Sequence, residues 1–266
     1  LFTGGGTGGH VTPNLAILRE IRRISPDASI LYVGNSRGYE RRVEREGVAF
    51  KAIPCAPFCS PRHPLRFAVM TIRVLCGVLV SLWTIMCFRP HVVIASGGYV
   101  SVPCVLAAGV MRRRIYIHEQ NVHPGRANRA IAYLATRVGV SFRETMDHFP
   151  AEKTVLAGYP VRRQIGEGSP TRARERFDIP EGRRVAFILG GSMGSRAINR
   201  GTVEALRTLL HKNDIAIIHA TGLSTSSEYR AYDDTREHLK HAGLETNLPG
   251  RYVCRPFFKN IQDVYA

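Results

Sequence analysis

Glycine-rich turns followed by imidazole or hydroxyl side chains are the parts of this chain that point to chemistry. The first such turn, GGGTGGHVTP over residues 4–13, ends in His10, with Thr12 and Pro13 suited to begin a helix. Glycine lets backbone N–H groups approach phosphate or sugar oxygens closely. An imidazole there can act as a general base near neutral pH. A histidine that only caps the helix or supports other residues explains the position equally well.

The same turn matches the GxGxxG spacing of a dinucleotide site through Gly4, Gly6 and Gly9. That site needs an acidic residue after the next strand to hold a ribose hydroxyl. The next strand ends at Gly34 and Asn35, with no Asp or Glu to take that role. The pattern therefore disfavours a nicotinamide or flavin cofactor.

Two further turns are rich in glycine or polar residues. SGGYVSVP over 96–103 carries paired glycines, and a strand end at 118–121 reads HEQN, which offers hydrogen-bond donors and acceptors to a hydroxyl-rich ligand. Four polar residues in a row are hard to place in a core. Glu119 is either an acid or base, or a carboxylate that orients the neighbouring loops.

A glycine turn in the second half, GGSMGS over 190–195, places Ser192 and backbone N–H groups before a helix, where a diphosphate fits. The same letters satisfy the GxSxG of a hydrolase, with Asp214 and His219 following. Those two residues lie at opposite ends of one predicted strand, which disfavours a triad. In GYPVR, over 158–162, Arg162 is suited to bind a phosphate or is a solvated surface residue.

Short β-branched runs alternate with helix-like stretches and position these turns. This alternation predicts an α/β fold with parallel sheets, whose ligands bind at the carboxyl ends of the strands. A polar stretch over 166–183 separates two such series. We place the boundary near 160–170, with domains at 1–163 and 164–266. The predicted strands lie within 29–34, 91–96, 114–119, 185–189, 215–219 and 251–254.

Composition excludes several classes of protein. The 266 residues carry 37 Lys and Arg against 21 Asp and Glu, a net charge of +16 that attracts anions without choosing among phosphate, nucleic acid and acidic lipid. A disordered chain and a disulfide-stapled module are both excluded by 44% hydrophobic residues and six cysteines without CxxC spacing. We expect reduced thiols in the cytosol.

An apolar run over 67–88 contains Arg73 as its only charge and is long enough to cross a bilayer. Spanning would bury that arginine and split the α/β series across the membrane. A core helix is the simplest alternative. Because Arg62, His63, Arg66 and Arg89 flank the run, we favour a helix half buried in protein and half inserted into anionic lipid.

Taken in order, GGTGGHVTP, SGGYVSVP, HEQN with Asn128, GYPVR, GGSMGSRAIN and PFFKNI closely resemble the MurG family, over nearly the whole chain. That family transfers N-acetylglucosamine from UDP-N-acetylglucosamine to undecaprenyl-diphosphate-linked N-acetylmuramoyl-pentapeptide, with inversion at the sugar. The resemblance implies a GT-B fold, two Rossmann-like domains facing a cleft, with acceptor and donor on the N- and C-terminal domains respectively. It also implies a peripheral enzyme on the cytoplasmic face of the bacterial plasma membrane, with an anionic membrane surface and no nucleic acid as partners.

The resemblance also assigns roles to residues. His10 becomes the candidate base for the acceptor 4-hydroxyl, and no metal or other cofactor is implied. The chain departs from the family's pattern at Tyr159, where the family often has Asn, and at Met193, where it often has Gln. The residues implied to contact the donor are Thr7, Gly8, Gly9, Asn121, Arg162, Ser192 and, beside the uracil, Phe258.

The family's donor domain continues beyond PFFKNI with further ribose, uracil and sugar contacts. We therefore expect the donor site in residues 1–266 to be incomplete, with weak donor binding and no sugar transfer. A non-catalytic nucleotide-sugar binding module and a hydrolase using Ser192 stay open as alternatives.

Overall fold

The computed structural model describes residues 1–36, 39–212 and 214–266. Contacts divide the chain into two compact units, Leu1–Val161 and Arg162–Ala266. Each unit contains its own mainly parallel sheet. The sequence-based boundary, between 163 and 164, differs from this division by two residues.

The first unit contains a seven-stranded, fully parallel sheet in the order β3-β2-β1-β4-β5-β6-β7. The reversal of strand order at β1 and β4 creates a switch point where neighbouring loops diverge, the usual ligand position in such sheets. The strands are β1 (Phe2–Thr3), β2 (Leu31–Gly34), β3 (Ala49–Ala52), β4 (Val92–Ala95), β5 (Arg114–Glu119), β6 (Arg137–Val140) and β7 (Thr154–Leu156).

Helices cover both faces of this sheet, because its β-branched strands are apolar on both sides. One core cluster contains Val11 and Leu18 of the first helix, and the other contains Cys104 and Val105 of the third. The α-helices are α1 (Gly8–Ile24), α2 (Pro64–Phe88), α3 (Ser101–Val110) and α4 (Arg126–Ile131), with short 3₁₀ segments at Tyr39–Glu46, Ala132–Leu134, Arg143–His148 and Ala151–Lys153.

The second unit is smaller and has the sheet order β10-β11-β9-β8. The β10–β11 pair is antiparallel, and β11 with β9 and β9 with β8 are parallel. The two-residue strand β10 was not predicted from the sequence. The elements are a 3₁₀ segment Arg163–Glu167, α5 (Pro170–Arg176), β8 (Arg184–Leu189), α6 (Arg196–His211), β9 (Ile215–Ala220), α7 (Ala231–His241), β10 (Asn247–Leu248), β11 (Tyr252–Arg255) and α8 (Ile261–Tyr265).

Helix α2 contains the apolar run and is the one helix, among the described residues, long and apolar enough to cross a membrane. It packs against α3 through Gly77, whose missing side chain lets Pro103 and the carbonyl of Pro54 come close. Only 22% of its most apolar window is buried. The core-helix alternative is therefore wrong for most of its surface. Its exposed apolar side chains form what we call the apolar strip: Leu65, Val69, Ile72, Leu75, Leu79, Trp83 and Met86.

Candidate active site

Three loops meet at the carboxyl edge of the first sheet because they follow the adjacent strands β1, β4 and β5. We call them the first glycine loop (4–9), the second glycine loop (96–100) and the polar loop (120–125). The N–H of Gly5 donates to the carbonyl of Gly97 at 3.2 Å. A Cβ atom on Gly98, which has a φ of +77°, would overlap the carbonyl oxygen of Gly5. Glycine is thus required where the two glycine loops touch.

His10 lies in the first turn of α1, at the end of the first glycine loop. The helix begins at Gly8, with Thr7 in the N-cap position, so the prediction that Thr12 and Pro13 begin the helix is wrong. The Thr7 hydroxyl makes no cap hydrogen bond and lies 2.8 Å from His10 Nδ1 instead. The His10 carbonyl accepts a hydrogen bond from the Ser96 hydroxyl, which ties the histidine to the second glycine loop.

The surroundings of His10 favour its neutral form. Partial burial lowers the pKa of His10 below its usual 6.5, and the carboxylates of Glu119 and Glu40 oppose that shift. A neutral imidazole is the form that can accept a proton. With Nδ1 hydrogen-bonded to Thr7, Nε2 is the nitrogen available to a ligand.

Glu40 is a site residue that sequence reasoning missed. It is fully buried beneath the first glycine loop, where its carboxylate accepts hydrogen bonds from the N–H of Asn35 at 2.8 Å and of Gly6 at 3.4 Å. A Cβ on Gly5 would lie only 2.6 Å from one carboxylate oxygen. The acid that a dinucleotide site would direct at a ribose is here buried against the loop backbone. The only available signal was an acid a few residues after β2.

Glu119 fixes the polar loop. Its Oε1 accepts from the backbone N–H of Asn121 at 2.9 Å and from Asn121 Nδ2 at 3.1 Å, and its Oε2 accepts from Gly125 N and Asn128 Nδ2, both at 3.0 Å. Four donors on a buried carboxylate match the alternative in which Glu119 orients the loops. Asn128 also packs against Gly97, so the polar loop and the second glycine loop are held together.

The HEQN segment is more buried than its polarity suggested. His118, Glu119 and Gln120 are buried, and only Asn121 is exposed to a ligand. Burial lowers the pKa of His118 to about 4, and its Nε2 lies 3.2 Å from the Ser141 hydroxyl. The expectation that all four polar residues lie outside the core is therefore wrong, since hydrogen bonds satisfy part of this polar set inside the protein.

The glycine turn of the second unit (190–195) joins β8 to α6. Ser195 caps α6, and Ser192 is exposed on the turn. The turn is held by backbone hydrogen bonds from Leu223 N to Ser192 O at 2.9 Å and from Ser224 N to Met193 O at 3.3 Å. Exposed N–H groups and a hydroxyl at a helix start form a suitable site for an anion.

The hydrolase alternative fails on geometry. His219 is buried, with Nδ1 3.0 Å from the Tyr252 hydroxyl and Nε2 3.1 Å from Asn199 Oδ1. Asp214 pairs with Arg184 at the other end of β9. Ser192, Asp214 and His219 therefore form no triad.

The two remaining predicted residues also lie in the second unit. Arg162 is its first residue, half-buried, and forms no ion pair with any described residue. Phe258 is only 4% exposed and packs edge-on against Phe177 and Phe187, whereas its neighbour Phe257 is 51% exposed. Phe258 still lines a cavity of about 480 Å³ together with Arg255 and others. The contact of Phe258 with the uracil ring stays a prediction.

The sequence of this chain is similar to those of known proteins. Residues 1–140 match the model of the glycosyltransferase family 28 N-terminal domain. A relative from Desulforudis audaxviator named UDP-N-acetylglucosamine--N-acetylmuramyl-(pentapeptide) pyrophosphoryl-undecaprenol N-acetylglucosamine transferase is 39% identical over 98% of this chain and 69% of its own length. The chain belongs to this transferase family. A Halothermothrix orenii family member of the same name is 35% identical over the full chain and 70% of its own length.

Solved structures show the same fold. Acinetobacter baumannii MurG superposes with a TM-score of 0.66 at 22% identity, covering 98% of this chain and 66% of that one. The UDP-GlcNAc 2-epimerase of Neisseria meningitidis, bound to UDP-GlcNAc, superposes with a TM-score of 0.61 at 11% identity, over 98% and 73% of the two chains. The two-unit α/β architecture of this family member is therefore the GT-B fold predicted from the sequence.

Proposed function

We propose that the protein transfers N-acetylglucosamine from UDP-N-acetylglucosamine to the 4-hydroxyl of a lipid-linked N-acetylmuramoyl-pentapeptide. The observation that carries the proposal is the meeting of three loops around a neutral His10 in a member of this transferase family. The first unit, residues 1–163 in the predicted division, would bind the acceptor. The second, residues 164–266, would bind the UDP-sugar.

In the proposed reaction His10 is the general base. The tautomer in which Nδ1–H donates to Thr7 leaves the Nε2 lone pair free to accept the acceptor hydroxyl proton. The hydroxyl oxygen then forms a bond to the anomeric carbon of the donor as the bond from that carbon to the phosphate oxygen breaks. The electron pair of the broken bond leaves with UDP, and attack from the opposite side inverts the anomeric configuration.

The leaving UDP gains negative charge, which fixed donors must stabilise. The glycine turn (190–195), with the Ser192 hydroxyl, and the guanidinium of Arg162 are the groups we assign to this task. Thr7, Gly8, Gly9 and the exposed Asn121 would contact the donor sugar from the first unit. Among the described residues no group of three or more His, Cys, Asp or Glu could hold a metal ion.

Calorimetry separates this function from its rivals. Titration with UDP-N-acetylglucosamine should release heat with one-site saturation, whereas NADH and a simple ester should give none. A chain extended to the length of its relatives should also transfer labelled sugar to the lipid acceptor. Binding of NADH, or ester hydrolysis that is lost in Ser192→Ala, would contradict the proposal.

We also infer a peripheral position on an anionic membrane, on its cytoplasmic face. The apolar strip of α2 supplies hydrocarbon contact, and the exposed Arg62, Arg66 and Arg89 at its ends supply charge. Binding to anionic vesicles should then be reversible by high salt, because salt screens the arginines. Retention after both high salt and alkaline washing would show a spanning helix instead.

A matched pair of variants tests the apolar strip itself. Leu79 is 66% exposed on α2, and Ile24 is 67% exposed at the end of α1, which packs against the opposite face of the sheet. Leu79→Gln should lower vesicle affinity about fivefold to tenfold through lost apolar contact. Ile24→Gln should leave vesicle affinity unchanged. An equal loss of affinity in both variants would contradict the proposed contact of α2 with the membrane.

A further inference from the structure

A cavity of about 550 Å³ lies at the carboxyl ends of β2 and β3 in the first unit. Parallel sheets bind ligands at this edge. Glu40, buried beneath the first glycine loop, bonds Asn35 on the cavity wall, so the cavity borders the loop that positions His10. Its walls are Asn35 and Ser36 after β2, Ala52 at the end of β3, Ile53, Pro54 and Cys55 after it, and Arg73 of α2.

Arg73 gives this cavity a positive wall. It is the only charge in the apolar run over 67–88, and it forms no ion pair with any described residue. Burial raises the pKa of the Cys55 thiol to about 11, with a further contribution from Glu40, while Arg73 opposes the shift. The guanidinium charge is thus felt at the opposite wall.

The surface next to Arg73 is apolar. Val69 and Ile72, one turn before and directly before it on α2, are 45% and 60% exposed and belong to the apolar strip. A guanidinium within such a surface is costly near lipid unless an anion pairs with it. A ligand that satisfies both features carries a phosphate group joined to a hydrocarbon chain.

We propose that this cavity binds the diphosphate of the lipid-linked acceptor, with Arg73 gripping a phosphate and the apolar strip contacting the polyprenyl chain. The assignment rests on the proposed function and adds a binding residue to it. A guanidinium can pair two oxygens of one phosphate at once, which fixes the group in orientation as well as position. The acceptor sugar would then be held on the side of the first glycine loop.

Bulk anionic headgroups offer the same phosphate chemistry, and a matched pair of variants separates the two sources. Arg73→Gln removes the charge in the cavity, and Arg66→Gln removes one from the same helix outside the cavity walls. The probes are farnesyl diphosphate below its micelle concentration, inorganic pyrophosphate, and phosphatidylglycerol vesicles. Arg73→Gln should weaken farnesyl diphosphate binding by about tenfold or more, the usual loss for a charge-assisted bidentate contact.

Arg66→Gln should change farnesyl diphosphate binding less than twofold, while both variants lower vesicle binding alike. Pyrophosphate should bind more weakly than farnesyl diphosphate because it lacks the chain. The cavity assignment would be overturned if both variants lost farnesyl diphosphate binding equally. It would also be overturned if Arg73→Gln lost only vesicle binding. UDP-N-acetylglucosamine affinity should be unchanged in both variants. If the unmodified protein does not bind UDP-N-acetylglucosamine, the proposed function is contradicted. The effect of Arg73→Gln on farnesyl diphosphate binding still tests the cavity assignment by itself.

Discussion

The first glycine loop (4–9) and the glycine turn (190–195) both join a parallel strand to a helix, yet different groups hold them. Beneath the first glycine loop lies the buried carboxylate of Glu40, and Glu119 fixes the polar loop beside it. The glycine turn is held by backbone hydrogen bonds from Leu223 and Ser224 and by the side chain of Ser195, which caps α6. The nearby buried His219 is bound to neutral partners.

This difference separates two kinds of chemistry. Carboxylates near His10 favour its protonated form electrostatically while burial disfavours it, so the histidine can gain and lose a proton during a reaction. The glycine turn presents N–H groups and a hydroxyl, which suit a group that stays anionic. We therefore expect mutations in the first loop to change turnover and those in the second to change donor affinity.

The largest expected effect is that of His10→Ala. In a chain extended to the length of its relatives, turnover should fall roughly 100-fold or more, the usual contribution of a general base, while the dissociation constant for UDP-N-acetylglucosamine stays within about twofold. Steady-state transfer assays and calorimetry measure the two quantities. His91→Ala, an exposed histidine at the amino end of β4, is the control. If the turnover of His10→Ala stays near that of the control across a range of pH, His10 is not the general base.

Glu119→Gln should come next. The amide replaces one acceptor oxygen with a donor, so two of the four hydrogen bonds are lost and buried donors stay unpaired. We expect the free energy of unfolding to drop by roughly 2–4 kcal/mol in urea titrations. Glu152→Gln, on an exposed 3₁₀ segment, should change it by less than about 0.5 kcal/mol. Equal stability of the two variants would mean that the carboxylate does not hold the polar loop.

Ser192→Ala tests the other side of the comparison. Loss of one neutral hydrogen bond to the diphosphate should raise the dissociation constant for UDP-N-acetylglucosamine about threefold to tenfold. Turnover at saturating donor should change little. Ser227→Ala, an exposed serine in the same unit, serves as control. A fall in turnover without a change in donor affinity would reverse the roles assigned to the two turns.

The smallest effect concerns pH. Because burial lowers the pKa of His10, kcat/KM should decline with acidity only below pH 6.5, as the base becomes protonated. Glu40 raises that pKa, so Glu40→Gln removes a charge that favours protonation and should move the decline to still lower pH. A pH–rate profile, with proton NMR of the His10 ring, measures the shift. Movement of the decline to higher pH would exclude Glu40 as an electrostatic partner.

The sequence predicted part of each sheet and its turns because those signals are local, but it did not predict β3, β6 or β10. The β-branched runs that became β2, β4, β5, β8 and β9 lie where expected, each followed by its turn. The exposed apolar face of α2 was also predicted, from the composition of the helix and its flanking charges.

Long-range packing was not predictable. Glu40 contacts Gly6 across 34 residues, and no local pattern relates the two. The start of α1 was misplaced because Gly8 and Gly9, which are poor helix formers, nevertheless lie in its first turn. The buried position of His118 involves Ser141, which lies 23 residues away and follows β6. Which of Phe257 and Phe258 is buried depends on how the chain leaves β11.

The contact between the two glycine loops has a mechanical consequence. Gly98 leaves no room between itself and Gly5, and the Ser96 hydroxyl is bonded to the backbone of His10. A ligand that displaces the second glycine loop must therefore carry the start of α1 with it. We expect the second glycine loop and His10 to move together, so that a ligand bound at this loop changes the position of the proton acceptor.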